Sequence, residues 1–361
     1  MALNKEVTKF KLPSLNGLRA ISILLVIFRH LEIEYHLLLD KLPNALKPFY
    51  IFFSDGQLGV NMFFVISGFL ITTLLIVEEE KTKTVSLKNF YIRRTLRIFP
   101  AYYFYLLVLL ILQLTNVIYI NNESWLTAVT YTKYFNWSSD WFTSHGWSLS
   151  IEEHFYLMFP LIFTFGDKIR KRASLFLILI VPVIKVLVHF YPVSWINDYT
   201  IFKRIDALVI GCVIAFYKDS LLNLLDKHFK TWFYLSLVIL FVIGFLPGIG
   251  ERLNLNLDFI IIPFGSRYGT FANICIGVVL LYSIYGHKGI WFKLLNTKVL
   301  DYIGLLSYSI YLWQQLFISG SSLSWASSFP LNILFFISAA LFSYYCIEKP
   351  FLKFKDKFQK T

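Results

Sequence analysis

Ten apolar stretches recur along the chain, most of them near the ~20 residues that a helix needs to cross a hydrocarbon layer. They cover 18–38, 57–77, 98–120, 149–165, 173–190, 205–217, 231–246, 268–285, 300–318 and 326–347. The sixth is short and carries Asp206 at its mouth. Lipid cannot satisfy the backbone groups of irregular chain, so stretches of this kind predict helices. The expected fold class is all-α, a polytopic membrane bundle of about ten transmembrane helices. With 57% hydrophobic and 16% charged residues, the chain is too apolar for one soluble core, and disorder, collagen and coiled coil are excluded as well. There is no internal repeat or low-complexity linker, so residues 1–361 read as one domain. Residues 1–17 form a predicted cytoplasmic N-terminal segment and 349–361 a basic cytoplasmic tail.

The net charge of +12 reads as a topology marker. Placing both termini inside leaves 25 of the 34 lysines and arginines on cytoplasmic segments, which predicts an N-in, C-in orientation. No basic face survives outside those segments, so nucleic acid is not an expected partner. Cys212, Cys275 and Cys346 sit in apolar runs without metal or disulfide spacing. The first apolar stretch opens with Arg19, closes with Arg29, His30, Glu32 and Glu34, and lacks a signal-cleavage site. The stretch 121–146, rich in Trp, Tyr and Ser, predicts an interfacial loop or short surface helix.

Ionisable groups inside spans are expensive and mark candidate sites. Arg19 and His30 are eleven residues apart, about 16 Å along one helix, which carries His30 past mid-membrane. Glu34 follows one turn later on the same face, where it can orient the imidazole. A histidine hydrogen-bonded at the outer interface is the alternative. Arg94 and Arg97 share a face at the cytoplasmic mouth of the third span, in a turn ending at Pro100. They read either as positive-inside anchors or as a fork for phosphate. Ser150-x-x-Glu153 has the form of a capping box that starts the fourth helix. That leaves Glu152, His154 and His145 unexplained, and two adjacent carboxylates imply that at least one faces a cavity. No histidine pair has ligand spacing with a carboxylate, so no metal site is expected. Gly59 and Gly68 are weaker candidates, Arg204 with Asp206 suggests a buried ion pair, and Asn273 and Gln314 read as helix–helix contacts. No GxSxG, Walker or GxGxxG motif is present.

At these residues the chain resembles the membrane-bound acyltransferase family 3, bacterial integral-membrane O-acyltransferases. Seven ordered blocks carry the likeness. They are Leu18-Arg19 through His30, Gly59 through Gly68, Tyr91-Ile-Arg93-Arg94-Thr-Leu-Arg97, His145-Gly-Trp147-Ser-Leu-Ser-Ile-Glu152-Glu153-His-Phe155-Tyr156, Arg204-Ile-Asp206, Ser307-Tyr-Ser-Ile-Tyr311-Leu-Trp313 and Ile347-Glu348-Lys-Pro350. The resemblance implies a multi-pass enzyme of the bacterial plasma membrane. It would transfer an acyl group, usually acetyl, from cytoplasmic acyl-CoA to a hydroxyl of a cell-envelope glycan or other sugar-containing acceptor. Acyl-CoA would be a donor substrate; no resident cofactor is implied. His30 would be catalytic, with Glu152 and Glu153 as the family's acidic pair. Arg19, Arg94 and Arg97 would bind the donor, and His145, Trp147 and Glu34 the acceptor. Tyr199 is a candidate for a covalent acyl relay. The chain departs from the family at Trp313-Gln314-Gln315, where Trp-His is common, so no catalytic role is expected there. His154 stands where Gln is common. No SGNH-type esterase domain follows, so transfer is expected to finish within the membrane domain or with a separate protein. A polysaccharide or small-molecule transporter is the rival class, and its paired broken helices in matching halves are absent from the pattern.

Overall fold

The structure, a computed structural model, describes residues 12–35, 42–43, 46–136, 140–243, 269–318 and 325–359. Helices α1 (Leu15–Tyr35), α2 (Lys47–Phe53), α3 (Gly56–Thr82), α4 (Leu87–Leu114) and α5 (Asn122–Val129) lead to α6 (Gly146–Met158), which tightens into a 3-10 turn over Phe159–Phe165. Then come α7 (Asp167–Phe190), α8 (Ile201–Phe216), α9 (Lys218–Leu225), α10 (Phe229–Ile243), α11 (Thr270–Tyr285), α12 (Ile290–Leu295) and α13 (Lys298–Phe317). Helix α14 (Leu331–Phe342) passes through a π turn (Ser343–Glu348) into α15 (Lys349–Lys355). Among the described residues every regular element is helical, as the apolar pattern predicts.

Each of the ten apolar stretches holds a helix, but their lengths differ from the pattern. Among the described residues four helices are long and apolar enough to cross a membrane: Gly56–Thr82, Leu87–Leu114, Asp167–Phe190 and Leu331–Lys355. The pair Ile201–Phe216 and Lys218–Ile243 makes a fifth if taken as one span, bent by 83°. The predicted stretches at 36–38, 244–246 and 268, the segment 1–11 and the tail at 360–361 lie outside the described residues.

Local chemistry sets several boundaries. Asp55 caps α3 by accepting from the Leu58 N–H at 3.1 Å, and Ser86 caps α4 by accepting from the Asn89 N–H at 3.3 Å. Helix α4 therefore starts eleven residues before the predicted span and continues through Pro100. Arg94 and Arg97 stand inside a continuous helix, not in a turn at its mouth. The hydropathy of this stretch hides the helix because arginines and polar residues fill its first turns. The capping box is also overturned. Helix α6 begins at Gly146, and the Ser150 hydroxyl donates to the Gly146 carbonyl at 2.8 Å while accepting from the Lys133 N–H at 3.2 Å. The loop 121–146 forms α5 and a 3-10 turn at Lys133–Phe135, in line with a short surface helix.

Small residues let the central helices meet. A Cβ on Gly68 of α3 would collide with the Leu208 carbonyl of α8, and one on Gly211 with the Val65 carbonyl. Gly59 of α3 lies under the Ser22 carbonyl of α1, and Gly304 of α13 under the Asn16 carbonyl. Helix α1 is thereby held between α3 and α13. The polar side chains in this packing find partners across helices. Asp206 pairs with Lys185 of α7 at 2.7 Å and accepts from Thr270 at 2.7 Å and Asn273 at 3.2 Å, both on α11. Asn273 is a helix–helix contact, as expected. The ion pair at Asp206 is made with Lys185 and not with Arg204, whose Nε donates to the Asp198 carbonyl at 2.6 Å. Cys212 and Cys275 are buried, and all three cysteines are free.

Candidate active site

Helices α1, α3, α4, α6 and α13 surround a cavity with an empty volume of about 820 Å³, counting its open part. Arg19 reaches it from α1, Ser67 from α3, and Arg94 and Arg97 from α4. Glu152 and Tyr156, one turn apart on α6, line it together with Ser148, while α13 supplies Ser307, Tyr308 and Tyr311. Helical spacing explains the convergence. Arg94 and Arg97 lie three apart, Ser148, Glu152 and Tyr156 four apart, and Ser307 and Tyr311 four apart, so each set presents one face.

The charges in the cavity are arranged unlike those elsewhere in the bundle. Arg93, next in sequence to Arg94, points away and is neutralised by Glu78 at 2.6 Å, with a further hydrogen bond to the Phe358 carbonyl at 3.2 Å. Arg170 is paired with Glu79 at 2.7 Å. Among the described residues none of Arg19, Arg94 and Arg97 makes an ion pair within 4.0 Å. The Arg94 guanidinium instead lies 4.4 Å from the ring centroid of Tyr156. Arg19 feels Arg97 as a like charge and Glu348 and Glu152 as opposite charges at longer range. Glu152 accepts from the Ser67 hydroxyl at 2.8 Å, and Glu348, at the end of the π turn, accepts from Ser309 at 2.9 Å. Arg19, Arg94 and Arg97 share the cavity lining with one carboxylate, Glu152, and with no ion pair within 4.0 Å among the described residues their N–H groups can meet an anion.

From this pocket a line of contacts runs by way of Tyr311 to His145, and His30 stands beyond it. On the cavity lining the hydroxyls of Ser148 and Tyr311 are 2.6 Å apart, and Tyr311 donates to the His145 carbonyl at 2.9 Å. The His145 ring is buried edge-on between Tyr105 and Tyr311, with centroids 5.6 and 5.4 Å away. His145 lies close enough to His30 for the two rings to interact electrostatically. His30 packs edge-on against Trp141 at 5.8 Å, and its Nδ1 has no hydrogen-bond partner among the described residues. His30 itself is outside the cavity lining.

The remaining predicted residues divide. Glu34 follows His30 by one turn on α1, away from the cavity. Glu153 lies near Arg94 but not on the lining, with a buried Oε1 that lacks a partner among the described residues. Trp147 and Tyr199 pack against each other at 4.9 Å and against Arg204, on another side of α6. His154 packs on Tyr134 at 5.5 Å. Among the described residues no group of three metal-ligating side chains occurs. Trp141 carries no signal of its own in the sequence, while Ser67, Ser148, Tyr308, Tyr311 and Glu348 fall in blocks of the family likeness without a role attached to them. The recurrence of Ser307, Tyr308, Tyr311, Gln314 and Gln315 on one face of α13 was the available signal.

The segment between α5 and α6 carries a buried ion pair. Lys133 Nζ meets Asp140 at 2.6 Å, and Asp140 also accepts from the Thr143 N–H at 2.7 Å and its hydroxyl at 2.5 Å. Burial works to raise the pKa of Asp140, but Lys133 and the Thr143 donors outweigh it and hold the group below the ordinary carboxylate value. Burial lowers the pKa of Lys133, and Asp140 offsets only part of that. Trp141, beside this pair, is clamped to α13: its Nε1 donates to the Gln315 carbonyl at 2.9 Å and its carbonyl accepts from Gln315 Nε2 at 3.0 Å.

A family model described as Acyltransferase domain matches residues 12–348. Putative O-acetyltransferase SACOL0978 of Staphylococcus aureus (strain COL) is 30% identical over 390 aligned positions, covering 98% of this chain and 60% of that protein. O-acetyltransferase OatA of Staphylococcus aureus (strain NCTC 8325 / PS 47) is 30% identical over 341 positions, covering 86% of this chain and 51% of that protein. The chain thus spans between half and two thirds of the length of these curated relatives. No solved structure matches it significantly.

Proposed function

Because the chain belongs to the Acyltransferase domain family, and is an acyltransferase, we propose that it moves an acyl group, most simply acetyl, from cytoplasmic acyl-CoA to a hydroxyl of a sugar-containing acceptor of the cell envelope. The observation that carries this reading is the pocket of Arg19, Arg94 and Arg97, which faces empty space without close ion pairs and leads by way of Tyr311 and His145 toward His30. Acyl-CoA has the matching polarity. Its nucleotide end is polyanionic, suited to guanidinium forks, and its thioester sits at the end of a thin arm.

In this reading the arginines hold the phosphates and the arm passes Ser148 and Tyr311. His30 takes the proton of the acceptor hydroxyl as general base. The acceptor oxygen attacks the thioester carbonyl, the C–S bond breaks, and the proton held by His30 passes to the departing thiolate. The products are the O-acyl ester and free CoA thiol. Glu152, held by Ser67, balances the arginines, and Glu153 stands behind Arg94. Tyr199 packs in the core away from the cavity, so direct transfer is favoured over a relay through its hydroxyl. His145 and Glu34 flank His30 on the acceptor side, and Trp147 supports α6 from behind.

The same reading places the chain in a bacterial plasma membrane with ten spans and both termini inside, the arginine pocket opening to the cytoplasm. A reporter fused after Lys360 tests the topology, and an external signal overturns it. Purified protein given acetyl-CoA and an envelope glycan fraction tests the activity. Release of free thiol with acetylated glycan is expected, whereas movement of glycan without thiol release would make the chain a carrier.

A further inference from the structure

Gln314 lies on α13 and is fully buried. Its neighbour Gln315 clamps Trp141 through two hydrogen bonds, and Trp141 packs on His30. This arrangement brings the Gln314 amide within hydrogen-bonding reach of His30. Yet neither Oε1 nor Nε2 of Gln314 completes a hydrogen bond among the described residues, and His30 Nδ1 is likewise without one. A buried amide with both ends unsatisfied, next to an imidazole with one nitrogen unsatisfied, calls for an explanation that packing does not provide.

We propose that Gln314 is a positioning residue for His30, its Oε1 accepting the Nδ1–H of the imidazole so that Nε2 is the nitrogen left to take the acceptor's proton. The inference rests on the assignment of His30 as base. An amide oxygen only accepts, so it holds one tautomer, whereas an imidazole in its place could hold either. The small rotation that joins the two groups satisfies an atom on each. Helix–helix contact alone, the role expected from sequence, leaves His30 Nδ1 and Gln314 Oε1 unexplained, and the rotation joins these two.

The test compares Gln314→Glu, which keeps length and an accepting oxygen, with Gln314→Met, which keeps volume and removes it. Acetyl-CoA turnover by the purified full chain is measured with thermal stability in detergent. Gln314→Met is expected to lower kcat about tenfold to a hundredfold with little change in KM for acetyl-CoA, less than the loss of His30 itself. Gln314→Glu is expected to retain most of kcat. A merely structural amide predicts the opposite order, because a buried carboxylate disturbs an apolar helix interface more than a methionine. Wild-type kcat in Gln314→Met, or a more damaged Gln314→Glu, overturns the proposal. His30→Ala separates the two readings. Full activity there removes the base assignment itself, while an inactive His30→Ala beside a fully active Gln314→Met removes only the role of Gln314.

Discussion

The guanidinium of Arg94 rests 4.4 Å from the ring centroid of Tyr156, and this contact joins α4 to α6 on the wall of the cavity. The ring supports the cation without neutralising it, so the N–H groups keep their capacity for an anion. Arg93 shows the contrast, because Glu78 already occupies it.

Arg94→Ala and Arg97→Ala are each expected to raise KM for acyl-CoA about tenfold or more, the loss of one or two charge-assisted hydrogen bonds. Arg94→Lys should restore little, since an ammonium lacks the planar fork. Arg93→Ala should leave donor KM unchanged. Steady-state kinetics with the donor varied decides the matter, and a defect confined to the acceptor would remove these arginines from the donor site.

His30→Ala is expected to lower turnover by about 10²-fold to 10⁴-fold while expression and detergent-extracted yield stay at wild-type levels. Single-turnover thiol release measures it. A variant that turns over at the native rate leaves the base to be found elsewhere.

Gly68→Ala is expected to destabilise the bundle by about 1–3 kcal/mol, because the new methyl meets the Leu208 carbonyl and forces α3 from α8. Thermal unfolding in detergent reads this out. Unchanged unfolding would mean that the two helices separate freely.

Asp140→Asn removes the carboxylate that buried Lys133 meets at 2.6 Å and is expected to cost about 3–5 kcal/mol. The pH dependence has a definite sign. The folded-state pKa of Asp140 is below its unfolded value, so the stability it contributes is fully present above the ordinary carboxylate range. That contribution is lost as pH falls through the lower folded value. Wild-type protein should therefore lose stability in acid more steeply than Asp140→Asn. Parallel acid profiles for the two proteins would exclude a role for the pair.

Much of this arrangement is legible in the order of residues. Apolar stretches of span length predict helices because lipid leaves the backbone no other partner, and helical spacing puts Arg94 with Arg97 and Glu152 with Tyr156 on shared faces. Those rules act within one helix, so they hold wherever the helix is placed. What no local rule contains is which helices meet. The start of α4 at Leu87 is hidden because hydropathy averages over arginines whose places, Arg93 against Glu78 and Arg94 and Arg97 on the cavity, come only from tertiary packing. Asp206 has two cationic neighbours in sequence reach, yet its partner is Lys185, because the close contact of α7 with α8 brings that ammonium to 2.7 Å. Arg93 and Arg94 are adjacent and chemically identical, and only the packing of α4 between Glu78 and Tyr156 makes one a structural anchor and leaves the other facing the cavity.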